Sequence, residues 1–227
     1  MMLYRVLARL LSYPDDGVCA ALGEMQPVVR RTQALPDSLR TDLEGMIAEM
    51  QASDALSLQE AYVATFDRMR SLSLHLFEHV HGDSRDRGPA MLDLVDLYRR
   101  HGLDVTAHEL PDYLPLFLEF LSVLPADKAH ELLRDAGNIL AVLHDRLNRR
   151  NSPYRHVFAA LVHLARARPV HGDEPIEELD FAALDRSWEE AAVTFGPENN
   201  PALGGGAECG VASAMVARMN KTPGMGR

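Results

Sequence analysis

The sequence predicts an all-α fold, a single-domain bundle of about eight helices with a flexible C-terminal tail. Apolar residues recur with a 3.6-residue period along almost the whole chain of 227 residues. No convincing run of period-2 alternation occurs, and no Asn-Gly or Asp-Gly hairpin turn stands between β-branched stretches.

Taken in order, Leu3, Val6, Leu7, Leu10 and Leu11 fall on one stripe of a first helix that Pro14 ends. A second runs from about Ser38 to Met50, with Leu39, Leu43, Met46, Ile47 and Met50 in phase. Ser57 and Glu60 read as a capping box ahead of 61–66, because a serine oxygen and a glutamate three residues on can satisfy each other's orphan amides. Further helices are expected at about 90–101, 114–124 and 127–150. Ser152 and Pro153 read as N-cap and first helical residue of a helix through Ala167. Leu184, Trp188, Ala191 and Phe195 stripe a last one, which Gly196-Pro197 stops. A chain of this length can bury about 70% of its unfolded surface in one core. The expected division is a helical domain over 1–196 and a Gly/Pro-rich tail over 197–227.

Lys and Arg total 23 against 33 Asp and Glu, a net charge of −10 with His neutral. That balance argues against coating nucleic acid or an anionic membrane, since both require a positive face. The charge is also uneven. Six arginines and no acid fall between Arg146 and Arg168, whereas eight acids and one arginine fall between Asp173 and Glu190. Two solvated helix faces are the plain explanation, and a docking surface for a charged partner is the sharper one.

Cys19 and Cys209 are the only cysteines, so a disulfide framework, a cysteine-based zinc site and a ferredoxin-type cluster are excluded. A reducing compartment fits. Arg5 and Arg9 interrupt the apolar N-terminus, which therefore reads as mature protein and not as a signal peptide. The most apolar stretch, 113–126, has Glu119 in its middle and falls short of the roughly 20 residues a membrane span needs.

His75-Leu76-Phe77-Glu78-His79 matches the H-x-x-E-H pattern, which on a helix would put two histidines on one face. A metallopeptidase of that type needs a downstream glutamate as third ligand, and no Glu occurs between Glu131 and Glu174. The favoured reading is a polar helix stripe whose other face, Leu72, Leu76 and Val80, is core; no metal and no catalytic residue is expected. Other catalytic templates fail. Neither lysine follows a glycine, so there is no phosphate-binding P-loop, and no G-x-S-x-G elbow is present. Ser84 belongs to a turn-rich loop, 82–89, and Gly204-Gly205-Gly206 reads as linker.

Glu109-Leu110-Pro111-Asp112-Tyr113-Leu114-Pro115 is the most unusual segment. Two prolines stiffen it and Asp112 can cap the apolar helix that follows. A rigid turn that presents a carboxylate and an aromatic beside an apolar helix suits capture of a cationic, partly hydrophobic peptide. Glu109 and Asp112 are expected to steer such a peptide, and Tyr113, Leu114, Phe117 and Phe77 to line its pocket.

The segments Tyr62–Asp67, Ser73–Gly82, Ser84–Gly88 and Glu109–Pro115 resemble the NarJ-type chaperones of respiratory nitrate reductase assembly, relatives of the TorD and DmsD redox-enzyme maturation proteins. The likeness runs through about residues 1–195. It implies an all-helical, non-enzymatic cytoplasmic protein with no cofactor of its own. Such a protein binds the N-terminal segment of the apo catalytic (alpha) subunit, holds it until the molybdenum cofactor is inserted, and delays membrane attachment; molybdenum cofactor biosynthesis proteins are further implied partners. The wider superfamily carries an E-P-x-D-H signature. Glu109 and Asp112 match its acids, while Leu110 stands for the proline and Tyr113 for the histidine. The signature histidine's role is therefore not carried over to Tyr113. The alternatives are a leader-binding chaperone of another molybdoenzyme, a purely structural helical adaptor and, distantly, the H-x-x-E-H peptidase. The tail beyond Pro197 is expected to be dispensable for leader binding, which titration of a chain ended at Gly196 would check.

Overall fold

The computed structural model describes residues 2–81, 87–105 and 109–170. Among them the fold is all-α, with ten α-helices and no strand beyond one isolated bridge between His75 and Tyr113. The expected helix on Leu184–Phe195, the acidic block, the domain boundary at 196 and the tail lie outside the described residues.

The apolar stripe of α1 (Met2–Leu10) is buried as its spacing requires, against α7 (Leu114–Val123) and α2 (Asp16–Arg31). The sequence reading did not place α2. Asp15 caps it, accepting the Val18 amide at 2.8 Å, and Val18, Leu22, Met25 and Val29 form its buried stripe. Pro27 lies inside this helix with Gly23, whose carbonyl it leaves unpaired, on the same exposed face, where solvent can take that carbonyl. α3 (Asp37–Ala52) packs back on α2.

α4 (Ala55–Tyr62) starts earlier than the Ser57–Glu60 capping box implied. The cap is Asp54, whose carboxylate accepts both the Ser57 amide at 3.0 Å and its hydroxyl at 2.6 Å. A π-helical turn, Val63–Asp67, continues it and turns Phe66 into the core against Tyr62 and Tyr154. A 3-10 turn at Arg70–Leu72 and the four-residue α5 (Glu78–His81) follow. α6 (Arg87–Arg100) takes in Arg87–Pro89, expected as loop, and closes on Gly102 at φ 77°.

The helix expected at 127–150 is two, α8 (Ala126–Asp135) and α9 (Gly137–Arg149). α10 (Arg155–Ala165) begins after a turn, so Ser152 and Pro153 precede it and Tyr154 is its N-cap. α10 packs against α9, α8 and α3, and one continuous core runs from Leu3 to Ala165. Gly137 permits the break between α8 and α9 to pack closely: a Cβ there would stand 3.1 Å from the Ala167 Cβ just past the end of α10. Gly137→Val is expected to cost about 1–3 kcal/mol through overpacking. Urea unfolding checks this, and an unchanged midpoint would mean that Ala167 yields freely.

Candidate functional site

Antiparallel packing of α1 on α7 leaves an open groove of about 720 Å3 along their shared edge. α1 and the turn after it give Arg5, Arg9, Ser12, Tyr13 and Asp15; α7 gives Pro115, Leu116, Glu119, Phe120, Ser122 and Val123. Val18, Tyr98, 103–105, Glu109 and Tyr113 complete the lining. The floor is apolar and aromatic. Among the described residues, several large hydrophobic side chains are exposed, and of these Tyr13 and Val123 lie in this groove and Leu110 adjoins it. Exposed apolar surface gathered beside polar residues marks a contact surface. Four lining acids, Asp15, Asp104, Glu109 and Glu119, face two arginines, so the groove favours a cationic occupant.

The wall around Tyr113 is held by a buried polar knot. Residues 73–77 run alongside 110–114: the Leu76 amide donates to the Asp112 carbonyl at 3.0 Å and the Leu114 amide to the Leu74 carbonyl at 2.8 Å. The Asp112 side chain is fully buried. Its Oδ2 accepts the Phe77 amide at 3.0 Å, its Oδ1 lies 3.3 Å from His75 Nδ1, and the Arg87 guanidinium is 3.9 Å away. Buried Tyr98 donates to the Pro111 carbonyl at 2.7 Å. A buried carboxylate needs such donors, because its desolvation otherwise outweighs any single contact. The His75 ring packs on Tyr113 at 5.4 Å, and the Tyr113 hydroxyl lies 3.1 Å from that of Tyr62, which donates to the Leu11 carbonyl. Burial raises the pKa of both the Tyr62 and Tyr113 hydroxyls above the ordinary tyrosine value, so both stay neutral.

The expected site residues therefore divide. Glu109 and Tyr113 line the groove. Leu114, Phe117 and Phe77 do not; they are core, at 0%, 0% and 1% exposure. Asp112 is no surface carboxylate but the centre of the knot. The H-x-x-E-H segment forms no continuous helix, because its pairing with 112–114 pulls His75 into an extended bridge. His79 Nε2 meets the Ser73 carbonyl at 2.8 Å instead. Among the described residues no three His, Cys, Asp or Glu side chains gather as metal ligands. A histidine does stand against the aspartate in space, but it comes from position 75, with Nδ1 3.3 Å from Asp112 Oδ1. Sequence reasoning missed the α1 wall altogether, although Arg5 and Arg9, one turn apart and off the buried stripe, were its signal.

The hydrogen bond to Asp112 raises the His75 pKa above its ordinary 6.5, against the opposing effect of burial. A base whose folded pKa is raised contributes stability that is full below 6.5 and is lost as pH climbs through the raised value. The stability gap between the native chain and His75→Gln is thus expected to be larger at pH 5.5 than at pH 8.5 in urea titrations. Equal gaps would show that charge plays no part in the pairing.

Residues 32–160 match the protein family described as nitrate reductase delta subunit. The chain is 42% identical over 197 residues to the nitrate reductase molybdenum cofactor assembly chaperone NarJ of Escherichia coli (strain K12), covering 84% of this chain and 83% of that one. It is 40% identical over 206 residues to the probable chaperone NarW of the same strain, 88% and 86% of the two chains. With the probable NarJ of Bacillus subtilis (strain 168) it shares 29% over 161 residues, 71% and 84%.

Proposed function

Because this chain belongs to the nitrate reductase delta subunit family, we propose that it is a system-specific maturation chaperone of nitrate reductase, acting without a catalytic step. It takes the N-terminal segment of the apo catalytic subunit into the groove between α1 and α7 and holds it in the cytoplasm for molybdenum cofactor insertion and membrane assembly. The observation that carries this reading is the groove itself, apolar along its floor and acid-rich along its edge. Burying one Leu or Phe of a client contributes about 1.5–3 kcal/mol, against about 0.2–1 kcal/mol for an exposed ion pair. Apolar contacts thus set how long the client stays, and the acids set how fast a cationic segment arrives. Glu109 and Tyr113 act by contact. Asp112, Leu114, Phe117 and Phe77 act by fixing the wall that Tyr113 presents.

Calorimetric titration with a synthetic peptide copying the N-terminus of the nitrate reductase catalytic subunit from the same genome tests this. Saturable one-to-one binding is expected. No heat and no binding from a folded helical protein would overturn it, and tighter binding of another molybdoenzyme's leader would reassign the client.

A further inference from the structure

Exposed apolar surface in a groove invites non-specific contact whenever the client is absent. Tyr13, Val123 and neighbouring Leu110 are exposed there, and four lining acids outnumber two arginines. The chain itself carries a segment of matching chemistry. Residues 211–227, which lie outside the described residues, hold Arg218, Lys221 and Arg227 and no acid. Val211, Ala212, Met215, Val216 and Met219 stand at i, i+1, i+4, i+5 and i+8, the spacing of one apolar helix face, and amphipathic segments enter apolar grooves by such a face. The stretch before it does not match: 171–208 carries ten acids and one arginine, which the groove's acids repel. Reach is no obstacle. From Val170, the last described residue, to Val211 is 41 residues, and a coil of that length spans about 35 Å, against a diameter of about 40 Å for a domain of about 170 residues.

We infer that 211–227 occupies the α1–α7 groove of the free chaperone as an internal stand-in for the client, its apolar stripe on the floor and its cations among the lining acids, and that the client binds by displacing it. This rests on the reading that the groove takes the client's N-terminal segment. Tethering makes a weak contact sufficient. At an effective concentration on the order of 1 mM, a segment whose free form binds at about 0.1 mM fills the groove about nine-tenths of the time and raises the apparent Kd of a competitor about tenfold. The tail is then unnecessary for client binding and acts against it, so a segment enters only by burying more apolar surface than 211–227 does.

The test uses the full chain with Val211→Asp, Met215→Asp and Met219→Asp together, three positions outside both the groove walls and the core that runs from Leu3 to Ala165. With helical circular dichroism retained, the client peptide is expected to bind this variant about tenfold more tightly than it binds the native chain. Arg218→Glu with Lys221→Glu, which leaves the apolar stripe whole, should give a gain of about threefold, and this pair decides by itself should three aspartates disturb folding. A synthetic peptide copying 208–227 should bind the triple variant with no client present, bind its Leu116→Ala derivative several-fold more weakly, and displace the client peptide from it. Unchanged or weaker client binding in the folded variant, or uptake of the tail peptide that Leu116→Ala leaves untouched, overturns the proposal. If the client peptide bound neither chain while the tail peptide still took the groove, the client reading would fall and the tail's place would stand.

Discussion

Asp112→Ala is expected to remove about 3–5 kcal/mol of folding stability, the usual cost of deleting one partner of a buried charged group. The carboxylate takes the Phe77 amide, faces His75 Nδ1 and has Arg87 within 3.9 Å. Alanine would leave that amide unpaired and His75 without its nearest counter-charge, while Arg87 would keep only Glu78 at 3.4 Å. Since a whole domain is stable by about 5–15 kcal/mol, the variant stands near unfolding. Asp112→Asn provides the graded comparison. It keeps a carbonyl for the Phe77 amide but sets a neutral group against His75 and Arg87, so it should fall between native and alanine. Urea midpoints at matched slopes give the measurement. A loss under about 1 kcal/mol for alanine would show that the knot is not sealed from water.

The same burial bears on how client binding is to be read in variants. A chain carrying Asp112→Ala that fails to bind has lost the 73–77 and 110–114 pairing, and with it the placement of Tyr113. Its failure would report on folding. Tyr113 and Leu116 are the side chains whose removal tests contact, because both face the groove and neither carries the knot's charges.

Local pattern fixed most helices and missed where distant segments decide. α1, α3 and α7 were legible because one apolar stripe at 3.6 spacing admits one buried face. α2 was hidden by Gly17, Gly23 and Pro27, each a helix breaker by propensity, although Val18, Leu22, Met25 and Val29 kept the stripe. The α8–α9 break carries no proline to announce it, and close approach of Ala167 to Gly137 favours it. His75 and His79 have helical spacing, yet hydrogen bonds to a segment some 35 residues later hold this stretch extended. For the site, Glu109 and Tyr113 were legible as a stiff turn before an apolar helix. Asp112, Leu114 and Phe117 share that neighbourhood in sequence and Phe77 pairs with it from 35 residues earlier, but side-chain direction sent all four inward, which no spacing rule reveals. The facing wall lies about 100 residues earlier in the chain, beyond any local signal.

Tyr113→Ala and Leu116→Ala are each expected to weaken client peptide binding about ten- to hundredfold, the equivalent of about 1.5–3 kcal/mol of apolar contact. Glu109→Gln should weaken it no more than about fivefold, as a partly solvated charge contributes about 0.2–1 kcal/mol. The two classes also differ in kind. Loss of apolar contact speeds dissociation, whereas loss of an edge charge slows association and flattens its salt dependence. Tyr113→Phe separates ring from hydroxyl: it gives up one contact to Tyr62, which still donates to Leu11, and keeps the face turned to the groove. It should therefore bind nearly as the native chain does. Stopped-flow and calorimetric titrations on variants with native circular dichroism decide the matter. If Glu109→Gln cost more than Tyr113→Ala and did so equally at low and high salt, the groove would be an electrostatic clamp, and its apolar floor would serve folding alone.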